Sequence, residues 1–150
     1  MEASEPARVL VVAHRTAATP PLLDAVEKRA AQGPATFTLL VPNLPHGLHR
    51  VVDPEDADDA EAQMVLELAL PLLERAAGAP VQGKLGDHNP FDAIHDAVNL
   101  EGYDEIIIST LPVRVSRWLR ADLPSKLKTL GIPITTVTAP GRRARAASQT

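Results

Sequence analysis

Three arginines in the last third of the chain have the spacing and the chemistry of an anion site. Arg114, Arg117 and Arg120 recur every three residues, so in a helical turn they would lie roughly along one side. A guanidinium group can hold a phosphate or a carboxylate through two parallel hydrogen bonds. The alternative is a solvated face that pairs with the acidic stretch 53–61. The spacing alone leaves both interpretations open.

A second group of polar residues lies in the loops that follow predicted strands. Asn43 and Asp87 are in these loops, and so are four of the five histidines: His14, His46, His49 and His88. Histidines with a carboxylate could ligate zinc or a similar ion, or one of them could act as a general base beside an arginine. Histidines in loops at one edge of a sheet need not lie close enough together to bind one metal ion. The alternative to a metal site or a general base is therefore that these histidines are ordinary polar loop residues.

Length, charge and composition exclude several classes of protein. The chain has 150 residues, enough for one domain with a single core, and it contains no cysteine, which excludes disulfides and thiolate metal sites. Its net charge of -4 argues against a nucleic-acid partner, and no apolar run approaches the roughly 20 residues that span a membrane. We therefore expect a cytoplasmic protein with one domain, residues 1–139, and a disordered basic tail, residues 140–150.

The elements that must position these residues alternate between strands and helices. The apolar runs 8–13 and 105–109 lack polar alternation, which is typical of strands buried on both faces. The ranges 36–41 and 134–138 also read as strands, and 81–85, which is short, polar and interrupted by glycine, reads as an edge strand. The pattern predicts an α/β fold, a single doubly wound five-stranded parallel sheet with helices on both faces, because right-handed crossovers leave few alternatives. The β-branched runs and the crossover lengths predict the strand order 3-2-1-4-5.

Capping residues mark the helices between these strands. Pro20 opens the first helix and Asp53 the second, while Asn89 and Pro90 begin the third. The last helix follows Asp122 and ends at Gly131, which we expect in the left-handed conformation.

Three local matches, and the order of the elements, resemble the universal stress protein family. They are RVLVVAH at 8–14, LGDHNPFDAIHDAV at 85–98, and YDEIIIST at 103–110 followed by GIPITTV at 131–137. The resemblance covers roughly residues 8–138, and it implies the fold shared by universal stress proteins and adenine nucleotide alpha hydrolases. It also implies a homodimer that pairs through the last strand.

The chain departs from that family at two places that bear on nucleotide binding. Nucleotide-binding members follow the fourth strand with a glycine loop of the form G-x2-G-x9-G-[ST], whose backbone N–H groups close around a triphosphate. Residues 109–122 of this chain contain no glycine, and Asp122 falls where a serine or threonine would lie. His14 stands where the family has an aspartate. These two departures make an ATP-type nucleotide a disfavoured ligand. The sequence identifies no cofactor beyond it.

Three functions from different classes remain open. The first is a universal-stress-protein-like regulatory or stress-response protein that binds a nucleotide or another small anion weakly or not at all. The second is a hydrolase or transferase acting on a phosphorylated small molecule, but the sequence has no nucleophile elbow, paired-carboxylate signature or Walker loop. The third is a protein-interaction module without a ligand. The candidate ligand-binding residues are His14, Arg15, Asn43, Gly86, Asp87, His88, Ser109, Thr110, Arg114 and Arg117.

Overall fold

The computed structural model describes residues 6–14, 16–42, 54–86, 90–110 and 123–138, with backbone only for residues 54–61 and 90. This part of the chain has five strands: β1 (Ala7–Val12), β2 (Ala35–Pro42), β3 (Val81–Gly86), β4 (Glu105–Thr110) and β5 (Ile134–Thr138). Its helices are α1 (Pro20–Gln32), α2 (Pro54–Ala77), α3 (Pro90–Glu101) and the short α4 (Leu123–Leu127), which continues into a 3₁₀ turn, Lys128–Leu130.

The five strands form one parallel sheet in the order β3-β2-β1-β4-β5. This confirms the predicted order and places the switch point, where the chain changes direction across the sheet, between β1 and β4. Their register pairs Val9 with Glu105 and Val12 with Ile108. In an open parallel sheet, ligands bind beyond the carboxyl ends of the strands at this point.

Two cores lie on the two faces of the sheet. Val9, Val11 and Ile107 pack under α1 and α2, which contribute Leu22 and Leu73 among others. The alternate residues of the same strands pack on the opposite face under α3 and α4; they include Leu10, Val12, Ile106 and Ile108, with Ile94 and Leu127 from the helices. Both faces of β1 and β4 are therefore buried, which explains why their sequences are apolar without alternation.

The two edge strands are less buried than the strands between them. β3 has one buried residue, Val81, and β5 has none. This confirms the prediction that 81–85 forms an edge strand. Gly131, at the end of the 3₁₀ turn, has φ 79°, the left-handed conformation that its position predicts.

An ion pair fastens α1 to β4 at the amino end of the sheet. Arg29 Nε lies 2.9 and 3.0 Å from the two carboxylate oxygens of Glu105, and its Nη2 lies 2.7 Å from Oε2. This fork raises the pKa of Arg29, because the hydrogen bond to Glu105 favours the charged guanidinium. Within the described residues, no helix is long and apolar enough to cross a membrane.

Candidate ligand site at the carboxyl ends of β1 and β4

The structure brings four of the predicted site residues to the carboxyl edge of the sheet. His14 follows β1, Gly86 ends β3, and Ser109 and Thr110 end β4. The remaining candidates lie outside the described residues, so their roles stay predictions: Arg15, Asn43, Asp87, His88, Arg114 and Arg117, together with His46 and His49.

The hydroxyl group of Ser109 is committed to a contact within the protein. Ser109 Oγ donates a hydrogen bond to Thr16 Oγ1 over 2.6 Å, and the two residues are only 1% and 3% exposed. The bond joins the end of β4 to the loop between β1 and α1, 93 residues apart in sequence. Ser109 therefore holds that loop in place, and sequence reasoning missed Thr16 because nothing local marks it.

Hydrogen bonds within the loop between β1 and α1 join several of its described residues to one another. The N–H of Ala17 donates to the His14 carbonyl, and the N–H of Thr19 to the Thr16 carbonyl, each over 3.2 Å. Thr19 Oγ1 also donates to the Thr16 carbonyl, over 2.8 Å. The two backbone bonds each join residues three apart, a spacing typical of β-turns.

None of the first four residues of α1, Pro20–Leu23, has a backbone N–H group free to bind a ligand. Pro20 and Pro21 carry no N–H group. Leu22 and Leu23 both donate to the Thr19 carbonyl, each over 3.1 Å. The amide groups that make a helix N-terminus an anion site are therefore absent or occupied here.

The hydroxyl group of Thr110 differs from that of Ser109 in having no partner among the described residues. Thr110 is 2% exposed, and its Oγ1 makes no hydrogen bond in the described part of the chain. It follows Ile106 and Ile108 in the alternation of β4, so it lies on the sheet face that α3 and α4 cover. A buried hydroxyl without a partner is uncommon in native proteins, and a bound ligand is one way to satisfy it.

His14 lies two residues beyond the end of β1, at the same edge of the sheet as Thr110. It is buried, at 6% exposed. Its backbone has left the strand and enters a turn, because its carbonyl accepts the Ala17 N–H. The alternation of β1 therefore does not assign its side chain to a face of the sheet.

Gly86 is explained by packing between β3 and α3. A Cβ atom at this position would lie 2.7 Å from the Cβ of Ala93 and 3.1 Å from Leu40 Cδ1. Real Cβ atoms do not approach another carbon so closely, so only glycine lets α3 pack at this distance. The sequence analysis names Gly86 as a ligand-binding candidate. The packing of α3 on β3 explains why this position must be glycine, without any ligand.

No group of three or more His, Asp or Glu side chains within the described residues could hold a metal ion. Of the four histidines that the sequence suggests as metal ligands, His14 is the one that the structure describes. The metal hypothesis, which needs His46, His49 or His88, therefore remains a prediction.

The pKa shifts resolved for the described residues lie away from this edge, in groups at the amino end of the sheet. The Lys84 ammonium group, followed by the Tyr103 hydroxyl, lowers the pKa of Glu101. Burial, followed by the hydrogen bond to Glu101, raises the pKa of Tyr103. These groups stabilise the end of α3.

Comparisons with known proteins identify the fold. No family model matches the sequence, and no curated protein matches it. Among solved structures, the universal stress protein from Archaeoglobus fulgidus in complex with dAMP is 21% identical, with a TM-score of 0.61 over 89% of this chain and 98% of that chain.

Two further solved structures have the same fold. A universal stress protein in complex with cAMP has a TM-score of 0.64 at 15% identity, covering 91% of this chain and 100% of that one. The Arabidopsis thaliana universal stress protein family protein with AMP bound has a TM-score of 0.62 at 15% identity, covering 92% and 95%. The chain therefore has the fold of the universal stress proteins, as the sequence resemblance implies.

Proposed function

We propose that this chain is a universal-stress-protein-like regulatory protein that binds a small anionic ligand, of the nucleotide class, at the switch point between β1 and β4. The observation that carries the proposal is Thr110 Oγ1, which is buried at the carboxyl end of β4 without a hydrogen-bond partner in the described part of the chain. A ligand oxygen or nitrogen would satisfy this hydroxyl at the place where α/β sheets bind their ligands.

The chemistry of the surrounding residues supports a ligand with one anionic group and several polar groups. A threonine hydroxyl both donates and accepts hydrogen bonds, and the ring nitrogens of a histidine such as His14 can also take part in them. The sequence adds Arg114 and Arg117, which we propose as the charged groups that hold the anion. The structures of this fold that carry AMP, dAMP or cAMP support a nucleotide as the first ligand to test.

The first prediction concerns Thr110→Val, which removes the hydroxyl and keeps the shape of the side chain. We expect AMP affinity to fall by about tenfold or more, because a hydrogen bond to a charged or strongly polar group is lost. The free energy of unfolding without ligand should stay the same or rise by about 1 kcal/mol, since an unsatisfied buried hydroxyl is removed. Isothermal titration calorimetry and urea unfolding measure the two quantities.

Thr36→Val is the matched control, because Thr36 lies at the exposed amino end of β2. It should leave AMP binding unchanged. Equal AMP affinity in wild type and Thr110→Val would remove Thr110 from the site, and loss of stability in Thr110→Val would show a structural role instead.

The same titrations separate the proposal from the two other functions. A protein-interaction module would bind no member of a panel of AMP, cAMP, phosphate and small carboxylates. A hydrolase or transferase would convert a phosphorylated compound, and product formation in the same samples would reveal it. In the described residues, the Ser109 hydroxyl at the switch point is bonded to Thr16 and not to a base, and the Thr110 hydroxyl has no partner that could act as one.

A further inference from the structure

Ser109 and Thr110, the last two residues of β4, face opposite sides of the sheet. Ser109 follows Ile107, which packs in the core under α1 and α2, whereas Thr110 follows Ile108 on the other face. Both residues also pair with β5, which supports their backbone on one side. The two neighbouring hydroxyl groups therefore meet different segments of the chain.

On its other side, β4 extends beyond its strand partner. The last pair in the register of β1 and β4 is Val12 with Ile108. β4 continues beyond this pair to Thr110, while β1 is followed by the loop that leads to α1. The hydrogen bond from Ser109 Oγ to Thr16 Oγ1 joins the end of β4 to this loop. It therefore continues the connection between β1 and β4 past the end of their backbone ladder.

The hydrogen bond between Ser109 and Thr16 resists opening because it is buried. Its length of 2.6 Å lies within the usual range for two hydroxyl groups, and its partners are 1% and 3% exposed. Breaking it without access to water would leave two buried polar groups unsatisfied, which costs free energy. Ala17, in the same loop, is 2% exposed and packs in the core under α1 and α2. The loop is therefore anchored to the sheet.

This anchored loop borders the proposed ligand site. In a doubly wound sheet, the crevice at the switch point lies between the segments that follow the two strands on either side of it. Here the loop after β1 is one of these segments, and Thr110 stands at the end of the strand opposite. A ligand that contacts both sides binds only when the loop is in place. Its apparent affinity then falls in proportion to the fraction of molecules that have the loop in place.

We propose that Ser109 and Thr16 are positioning residues of the ligand site, which hold the loop between β1 and α1 against the end of β4. This inference rests on the proposed function and adds two residues that act on the ligand through the loop. Ser109, which the sequence suggests as a ligand-binding residue, thereby acquires an indirect role. The ligand meets a crevice that is already formed, so little of its binding free energy is used to order the loop.

The second prediction concerns Ser109→Ala, which breaks the bond and leaves the backbone of β4 unchanged. We expect AMP affinity, measured by calorimetry, to fall about fivefold or more, because the loop is in place in fewer molecules. Hydrogen exchange of the Ala17 and Thr19 amides, whose N–H groups donate within the loop, should be about tenfold faster in the protein without ligand. Unchanged AMP affinity and unchanged exchange in Ser109→Ala would overturn the inference.

Two further variants separate positioning from a general loss of stability. Thr16→Ser keeps the hydroxyl group and should bind AMP within about twofold of wild type. Tyr103→Phe removes another hydrogen bond of a buried hydroxyl, the one to Glu101 at the opposite edge of the sheet. It should lower the melting temperature without changing AMP affinity or loop exchange. If Tyr103→Phe weakened AMP binding as much as Ser109→Ala, stability alone would explain both losses.

The double variant Ser109→Ala/Thr16→Val tests whether the two residues act as one unit. Each single change already breaks the bond, so the double variant should lose no more AMP affinity than the more affected single variant. Strictly additive losses would show that each residue acts on the ligand separately, which contradicts a shared positioning role.

Failure of this inference and failure of the proposed function give different results. If AMP binds through Thr110 and Ser109→Ala binds it as tightly as wild type, the site exists and the positioning argument is wrong. If AMP does not bind and Thr110→Val changes nothing, the proposed function fails. Faster loop exchange in Ser109→Ala would then show that the pair only stabilises the fold, and the positioning inference would fail as well.

Discussion

At the scale of single residues, hydrogen bonding and packing separate side chains that hold the protein together from side chains available to a ligand. Ser109 and Thr110 are neighbours in β4 and almost equally buried, yet one hydroxyl is bonded to Thr16 and the other has no partner in the described part of the chain. Gly86 lies at the same edge, and its lack of a side chain is explained by contact with α3. Position at the carboxyl edge is therefore not sufficient evidence of a binding role.

The third prediction belongs to this scale and concerns Gly86→Ala. The added Cβ must displace Ala93 or Leu40, so the free energy of unfolding should fall by about 1–3 kcal/mol. Urea unfolding measures the loss. Gly33→Ala is the matched control, because no atom lies within 4 Å of a Cβ there and its φ of 161° is extended backbone.

A second change tests whether the contact with α3 is the cause. Ala93→Gly alone costs about 1 kcal/mol as glycine inside a helix. Combined with Gly86→Ala it should cost less than the sum of the two single changes, because the clash is removed. Strictly additive losses would contradict the packing explanation.

At the scale of elements, one residue, Glu101, fastens the end of α3 to the sheet through its carbonyl and its carboxylate. The guanidinium of Arg8 in β1 donates to the Glu101 carbonyl, and the ammonium of Lys84 in β3 pairs with the Glu101 carboxylate. Tyr103, just before β4, donates its hydroxyl to the same carboxylate over 2.7 Å. The positive charges of Arg8 and Lys84 also stabilise the C-terminal end of α3, because this end of a helix dipole is negative. Two strands, β1 and β3, and the residue that leads towards β4 are thereby connected to one helix end.

The fourth prediction is a pH dependence that this arrangement produces. Lys84 and Tyr103 lower the folded-state pKa of Glu101 below its ordinary value of 4.5. The stability that the carboxylate contributes is therefore present above about pH 4.5 and is lost as the pH falls through the lower folded-state pKa. The pair is partly solvated, so its contribution at pH 7 should be about 1 kcal/mol or less.

The difference in free energy of unfolding between wild type and Glu101→Gln measures this contribution. It should be largest near pH 7 and should shrink towards pH 3. Glu27→Gln, which removes an exposed carboxylate from α1, is the control and should not follow this pattern. A difference that stays constant from pH 7 to pH 3 would mean that the charge of Glu101 does not contribute.

At the scale of the whole molecule, the sheet of the described residues ends in two edge strands, β3 and β5, with different properties. On β3, the Val81 N–H is bonded to a carboxylate oxygen of Glu74 in α2, and Lys84 is charged. β5 contains neither a charge nor a proline, and Thr135 and Thr136 are exposed. Natural proteins protect open edges with such charges and bonds, so β5 is the edge more suited to pair with another chain. We propose that a second copy of this chain pairs there.

The fifth prediction tests this dimer with Thr136→Pro. The Ile106 N–H donates to the Pro133 carbonyl, so alternate residues of β5 face β4, and the backbone groups of Thr136 point to the open side. Proline at this position removes an outward donor and leaves the bonds to β4 in place. Light scattering at micromolar concentration should give twice the mass of one chain for wild type and the mass of one chain for the variant.

Leu85→Pro places the same change on the exposed part of β3 and should leave the dimer intact. A wild-type protein with the mass of one chain would end the proposal. A dimer that survives Thr136→Pro would show that the two copies meet elsewhere.

The sequence by itself determined the architecture. Strands buried on both faces of a parallel sheet need apolar residues at every position, so the runs at 8–13 and 105–109 identify β1 and β4 by their composition alone. The β-branched runs and the crossover lengths predict the order 3-2-1-4-5, which the structure confirms. The left-handed conformation of Gly131 was also predictable from the sequence, because glycine adopts it at helix ends without a steric penalty.

The tertiary structure decided which of the predicted site residues are available to a ligand. The bond between Ser109 and Thr16, the Thr110 hydroxyl that no described residue satisfies and the contact of Gly86 with Ala93 all depend on segments that are distant in sequence. Alternation along a strand indicates which face a residue occupies, but not which side chain of another segment meets it there. That is settled by how helices pack on the sheet, because packing brings together atoms that no local pattern relates.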